Sequence, residues 1–309
     1  MIFCSLLNPA VDLCLKFDHF EMGDTLLDLP SRTIPAGKGI NVARVIKALG
    51  EEVCVAALMP HNDTRRFKSF LSNLGIEPLF MEIPGSARIN VSLTEKRSSC
   101  VSHLNCSAEP LPVRIQEEFV QFVSGYVKSD DVWCFSGSIP PGFDADIYAR
   151  MVNICHSKKA RALVDTRGNA LKIGLRARPL IIKPNISELE EFFEEPVQGV
   201  HHMALKGKRF IDMGISYVFI SLGADGVIAL HKNDCLLCSP PLVKAVNTVG
   251  CGDALVAGVL VALERNFSFP ELCRMAVACG ASNAMHEQPG VVTRDEIWHL
   301  MEDVQINAV

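Results

Sequence analysis

Asn247-Thr248-Val249-Gly250-Cys251-Gly252-Asp253-Ala254-Leu255-Val256-Ala257-Gly258 sets two glycines directly before an acid that opens a long apolar run. That run, Ala254 to Leu263, predicts a buried helix. Gly250 and Gly252 carry no side-chain bulk, so the backbone there can turn tightly and aim the amides of 250–252 at an anion, where the helix dipole adds positive potential. Asp253 then falls in the first helical turn, beside this anion hole formed by Gly250, Cys251 and Gly252. Two readings fit. A carboxylate beside a phosphate cradle suits phosphoryl transfer, with amides stabilising the moving group while the acid takes the attacking hydroxyl's proton. An acid is equally a favoured residue at a helix start after a plain turn.

Upstream of this stretch, short apolar strands alternate with helical spacing. Strands are predicted at 2–7, 53–58, 78–82, 131–135, 161–165, 179–183 and 217–221. Helices are predicted from Ile40 to Leu49, at 64–74, 113–124, 144–156, 186–194 and 199–213. Such alternation means parallel strands joined by crossover helices, and so an α/β sandwich. An antiparallel pair at 226–231 and 234–238 follows, and the last third reads as helices 252–264, 270–286 and 293–302. Two excursions break the pattern, at 12–34 (with 25–33 strand-capable) and at 87–105 (strands 88–94 and 99–104). They are the candidates for a small sheet over the mouth of a site. No repeat or linker divides residues 1–309, so one domain carrying this lid is expected.

The chain of 309 residues is 49% hydrophobic, enough to bury a large core. Its net charge of −5 with 21% charged residues leaves no basic stripe, so nucleic acid is not an expected partner. No apolar run approaches the roughly 20 residues that a bilayer demands, and Met1 to Pro9 reads as neither signal nor anchor. The 12 cysteines are scattered without a Cys-x-x-Cys pair, many inside apolar segments, which predicts reduced core thiols in a cytoplasmic protein.

Loops after the C-terminal ends of parallel strands are where such proteins bind ligands. Gly37-Lys38-Gly39-Ile40-Asn41 opens a helix with two glycines, a cation and an amide, suited to a polar or phosphorylated ligand or to an ordinary helix entry. It lacks P-loop spacing, and Gly250-Cys251-Gly252 lacks the third glycine of the dinucleotide fingerprint. Ser136-Gly137-Ser138-Ile139-Pro140-Pro141-Gly142 is a phosphate or sugar rim, or a plain turn. Lys183-Pro184-Asn185-Ile186-Ser187-Glu188 combines a cation with a capping box, in which Asn185 and Glu188 satisfy the helix start. The same groups would order magnesium through water and hold nucleotide phosphate. Ser221-Leu222-Gly223-Ala224-Asp225-Gly226 permits close approach by a ligand or makes a hairpin. Arg88-Ile89-Asn90 puts a guanidinium on the second excursion, where it would reach into the cleft or lie in solvent. His201-His202 is not a metal pair, because adjacent helical residues point apart.

Taken in this order, the motifs resemble the ribokinase-like (PfkB) family of sugar kinases across nearly the whole chain. Asn8-Pro9-Ala10-Val11-Asp12, Ala36-Gly37-Lys38-Gly39, Arg88-Ile89-Asn90-Val91, Lys183-Pro184-Asn185 and Asp165-Thr166-Arg167-Gly168-Asn169-Ala170-Leu171 look most like its phosphosugar branch. The resemblance implies a three-layer α/β/α sandwich with a mainly parallel central sheet. It implies ATP- and Mg2+-dependent phosphorylation of a ketohexose phosphate, most like fructose 1-phosphate to fructose 1,6-bisphosphate, with tagatose 6-phosphate or fructose 6-phosphate as rivals. A sensor that binds sugar phosphate without turnover is the alternative of a different class. The resemblance also implies Asp253 as the base. Asp12, Gly37, Lys38 and Asn41 would hold sugar hydroxyls, and Arg88, Asn90 and Ser138 the sugar phosphate. Lys183, Asn185, Glu188, Ser221, Gly223 and Gly226 would line the ATP phosphates and Mg2+, with Asn283 near the adenine. The lid would join a homodimer. Arg97-Ser98-Ser99-Cys100 departs from the glycine-rich, charged link usual in that lid, which bears on lid packing.

Overall fold

A computed structural model describes residues 1–97 and 100–309. The first third contains β1 (Ile2–Leu6), β2 (Ala10–Phe17), β3 (Ser31–Ala36), α1 (Lys38–Ala48), β4 (Val53–Pro60), α2 (Thr64–Asn73), β5 (Glu77–Ile83), β6 (Arg88–Glu95) and β7 (Cys100–Asn105). Next come α3 (Val113–Tyr126), β8 (Val132–Ser136), α4 (Ile147–Ser157), β9 (Arg161–Asp165), α5 (Gly168–Gly174), β10 (Ile181–Ile182), α6 (Ile186–Phe193), α7 (Gly199–Asp212) and β11 (Tyr217–Ser221). The chain closes with β12 (Val227–His231), β13 (Asp234–Ser239), α8 (Cys251–Glu264), α9 (Phe269–Ala284), α10 (Arg294–Asp303) and β14 (Gln305–Ala308).

Ten strands form one sheet in the order β14-β13-β12-β11-β10-β9-β8-β1-β4-β5. From β5 to β11 every pairing is parallel, and β12, β13 and β14 add an antiparallel edge. Strand parity decides which helices each side chain meets. On β4, Val53, Val55, Ala57 and Met59 join the core under α1, α8 and α9, whereas Ala56 and Leu58 join the core under α3 and α4. With both faces covered, β4 is buried at every position, as a continuous apolar run requires. A third cluster packs α6 and α7 against β11 and β12 through Phe210, Val218, Ile220 and Leu230. The α/β body with its mainly parallel sheet is therefore as expected.

The two excursions pair into the separate sheet that the alternating pattern predicts, in the order β3-β2-β6-β7. β2 and β6, far apart in sequence, run parallel with Asp12 opposite Asn90. The first excursion differs in detail. Its second strand spans Ser31–Ala36 rather than 25–33, and it accommodates Pro35 because β3 is an edge strand, where the missing N–H breaks no ladder bond. In the link Arg97-Ser98-Ser99-Cys100, Ser98 and Ser99 lie outside the described residues.

Two further differences concern the body. The strand expected at 179–183 contracts to Ile181–Ile182, and the pattern missed α5, the crossover that a parallel β9–β10 pair demands. β14 was also missed, because Gln305–Ala308 is too short and polar to signal a strand and forms by adding to the edge of β13.

Candidate active site

The turn before α8 depends on one glycine. Gly250 has φ +85, and a Cβ there would lie 2.7 Å from the Pro289 Cβ. Asn283 braces this turn from beneath. Its Nδ2 donates to the Val249 carbonyl at 2.9 Å and to the Cys251 sulfur at 3.4 Å, and its Oδ1 accepts from the Gly290 amide at 2.7 Å. Asn247 Oδ1 accepts from the Val249 amide at 2.9 Å. The Cys251 amide donates to the Thr248 carbonyl at 3.3 Å, whereas the Gly252 amide has no intrahelical acceptor and remains available to an anion.

Asp253 stands in that first turn, buried, at one end of an alternating chain of charges. Asn41 Nδ2 donates to its Oδ2 at 2.9 Å, and Lys38 Nζ lies 3.4 Å from its Oδ1. The same ammonium donates to Asp165 Oδ2 at 2.6 Å. Lys183 Nζ pairs with Asp165 Oδ1 at 3.3 Å and lies 3.4 Å from where a Cβ on Gly252 would be. Asp253, Lys38, Asp165 and Lys183 thus form one connected group ending against the turn.

Burial pushes the Asp253 carboxyl above the usual aspartate range; Lys38 opposes that shift and the Asp165 charge adds to it. Asp165 is also fully buried, yet its two lysines hold it below that range. Burial disfavours the Lys38 charge, but Asp165 and Asp253 outweigh it and raise the Lys38 pKa.

Local packing places these groups. A Cβ on Gly39 would lie 2.2 Å from the Ser5 carbonyl, so only glycine lets α1 start against β1 and present Lys38 and Asn41. At the start of α6, the Glu188 amide donates to Asn185 Oδ1 at 2.8 Å and the Asn185 amide donates to Glu188 Oε2 at 2.9 Å, so the capping box forms. Burial raises the Glu188 pKa, against the Asn185 amide bond. Asn185 also bridges to Ser221, which sets the Lys183–Glu188 and Ser221–Gly226 loops side by side. A Cβ on Gly226 (φ +100) would lie 2.1 Å from the Cys238 carbonyl, whereas space at Gly223 is open.

The lid supplies the rest. Asn90 Nδ2 donates to Asp12 at 2.8 Å. Arg88 donates to Asn90 Oδ1 at 2.7 Å, to Asn8 Oδ1 at 3.2 Å and to the Cys106 carbonyl at 3.2 Å. Asn8 Nδ2 in turn donates to Ser138 Oγ at 3.0 Å. A cavity of about 290 Å³ opens between lid and body, with Lys38, Arg88, Ser138, Asp165, Arg167 and Glu188 on its walls.

The structure therefore brings Asp253, Lys38, Asn41 and Lys183 into one group, and Arg88, Asn90, Asp12 and Ser138 into a second. Asn283 is set apart: fully buried, it offers no surface to a ligand. Asp165, Arg167 and Asn8 were not singled out as site residues from the sequence. They fell within motifs without a role assigned: Asp165 ends β9, and Asn8 and Arg167 lie two residues beyond the ends of β1 and β9 on the binding edge. His202 Nδ1 accepts from the Gln198 amide at 3.3 Å, and among the described residues no group of three His, Cys, Asp or Glu side chains is placed to hold a metal.

An acid at a glycine-turned helix start, cations held beside it and a sheet over the mouth form, on an α/β sandwich, a cleft whose chemistry suits phosphoryl transfer. The chain belongs to the pfkB family of carbohydrate kinases, whose model matches residues 7–294. It is 30% identical over 304 residues to a 1-phosphofructokinase of Haemophilus influenzae, covering 98% of this chain and 97% of that one. It is 32% identical over 300 residues to a 1-phosphofructokinase of Escherichia coli, with 97% and 96% covered. The structure of phosphofructokinase-2 from Escherichia coli with potassium superposes with a TM-score of 0.91 at 22% identity, over 98% of each chain. The protein is thus an ATP-dependent sugar kinase.

Proposed function

We propose that the enzyme transfers the γ-phosphoryl group of ATP to a ketohexose phosphate, converting fructose 1-phosphate to fructose 1,6-bisphosphate. Asp253 takes the proton from the attacking hydroxyl, and the amides of Gly250, Cys251 and Gly252, with Lys183, hold the developing charge. The observation that carries this reading is the placement of Asp253: buried, with a raised pKa, yet bonded to Asn41 and adjacent to Lys38. A base poised this way is aimed by its neighbours at whatever hydroxyl Lys38 and Asn41 hold.

Asp12, Gly37, Lys38 and Asn41 serve the sugar, and Arg88, Asn90 and Ser138 its phosphate. Lys183, Asn185, Glu188, Ser221, Gly223 and Gly226 serve the nucleotide, with Asn283 acting by bracing the turn. Mg2+ prefers one or two carboxylates and keeps several waters. Glu188, a half-buried carboxylate on the cavity wall, fits that demand through water. The ion would neutralise phosphate charge there.

The lid's faces support a homodimer. Asp12 and Asn90 share the face toward the site, whereas Ile89, Val91, Leu13 and Leu104 share the other, on which Ile89 and Leu104 are exposed. An exposed apolar sheet face of this kind suits a second copy. The E. coli phosphofructokinase-2 has itself been described in a tetrameric inhibited form. Free thiols, most of them buried, favour a reducing, cytoplasmic setting.

The test is ADP release in magnesium, with fructose 1-phosphate, tagatose 6-phosphate and fructose 6-phosphate compared by kcat/KM. Fructose 1-phosphate is expected to give the highest value. A preference for either 6-phosphate overturns the choice of sugar, and binding without turnover of any of them overturns the kinase reading.

A further inference from the structure

The charges on the cavity wall are unevenly committed. Lys38 and Lys183 are both paired with carboxylates, Asp165 and Asp253, so that buried group offers little net positive charge to a ligand. Glu188 on the same wall adds a negative one. A phosphate monoester arrives with about −1.5 to −2 charge at neutral pH and needs uncompensated cations.

Two guanidinium groups remain. Among the described residues, Arg88 donates only to neutral oxygens, those of Asn8, Asn90 and the Cys106 backbone. Arg167 is exposed to the cavity, and among the described residues it makes no hydrogen bond or ion pair. Its backbone is extended (φ −127, ψ 169) just before α5, and Thr166 Oγ1 donates to the Gly137 carbonyl at 2.9 Å, which pins this loop to the Ser138 loop. The cavity it lines contains Asn8, Gly37, Lys38, Arg88 and Ser138 from the proposed sugar side, Glu188 as its one residue from the proposed nucleotide group, and no residue of 221–226 or 250–253. Arg167 therefore stands on the sugar side.

We infer that Arg167 is a specificity-determining residue, a second guanidinium that joins Arg88 in binding the phosphate the sugar already carries. The inference rests on the sugar-phosphate kinase reading above. A guanidinium presents several donors in a fixed fork matched to phosphate oxygens, which a lysine ammonium copies only as a point charge.

Steady-state kinetics of the wild type, Arg167→Ala and Arg167→Lys test this, with fructose 1-phosphate, fructose 6-phosphate and unphosphorylated fructose as acceptors and ATP titrated separately. Arg167→Ala is expected to raise KM for the phosphorylated sugars about 10- to 100-fold, with kcat and the KM for ATP little changed. The kcat/KM for fructose should not move, and Arg167→Lys should recover part of the loss. An unchanged KM for the phosphorylated sugars, a rise in the KM for ATP alone, or an equal loss on fructose would each overturn the inference. Wild-type enzyme that turns over none of the phosphorylated sugars would overturn the activity beneath it, and is read before any variant is compared.

Discussion

Asp253 owes its raised pKa first to burial, with Lys38 pulling it down and Asp165 pushing it up. A general base must be ionised, so with Asp253 in the proposed role kcat/KM is expected to fall as pH drops through that pKa, with an acid limb above the ordinary aspartate range. The neighbours give the limb a sign. Lys38→Gln removes the cation that favours the ionised base, so its limb moves to higher pH. Asp165→Asn removes the charge that disfavours it, so its limb moves to lower pH. Profiles of kcat/KM against pH for the two variants should diverge from the wild type in opposite directions; displacement of both the same way would contradict the charge chain. At this scale the sequence was legible where a motif crowds its chemistry into a few residues, as at Gly250–Asp253 and Gly37–Asn41. Asp165 stood within a motif without a role assigned, because its importance comes from two lysines 127 and 18 positions away. Only the fold makes them neighbours.

Helices α8 and α9 pack so closely that a Cβ on Gly258 would lie 2.8 Å from the Ala276 Cα and 2.9 Å from the Met275 carbonyl. In an isolated helix, glycine costs roughly 1 kcal/mol relative to alanine. Here the lost propensity is exchanged for close approach, and α8 is buried along almost its whole length. Gly258→Val should therefore destabilise the protein by about 1–3 kcal/mol through overpacking, read as a lower midpoint in urea with an unchanged slope. A midpoint at or above wild type would show that the helices can separate without loss. Long periodic helices such as these were legible from the sequence because burial imposes their pattern over many residues. α5 and β14 were missed, and β10 was read too long, since two to seven residues carry too little periodicity to fix an element or its ends.

At the scale of the whole molecule, the lid and body each supply part of the cleft: the lid brings Asp12, Asn90 and Arg88, and the body brings the turn, Asp253 and the lysines. In the proposed homodimer, the lid's outward apolar face carries the contact between copies. Leu104→Asp places a charge on that face and should shift the protein toward monomer in light scattering, with a higher KM for the sugar; a dimer of unchanged stability would place the interface elsewhere. All of this presumes that the chemistry occurs at Asp253. Turnover of fructose 1-phosphate with ATP and magnesium by wild type and Asp253→Asn side by side tests it most directly. The variant should bind sugar and nucleotide yet lose on the order of 100-fold or more in kcat, whereas near wild-type turnover would contradict the assignment of Asp253 as the base.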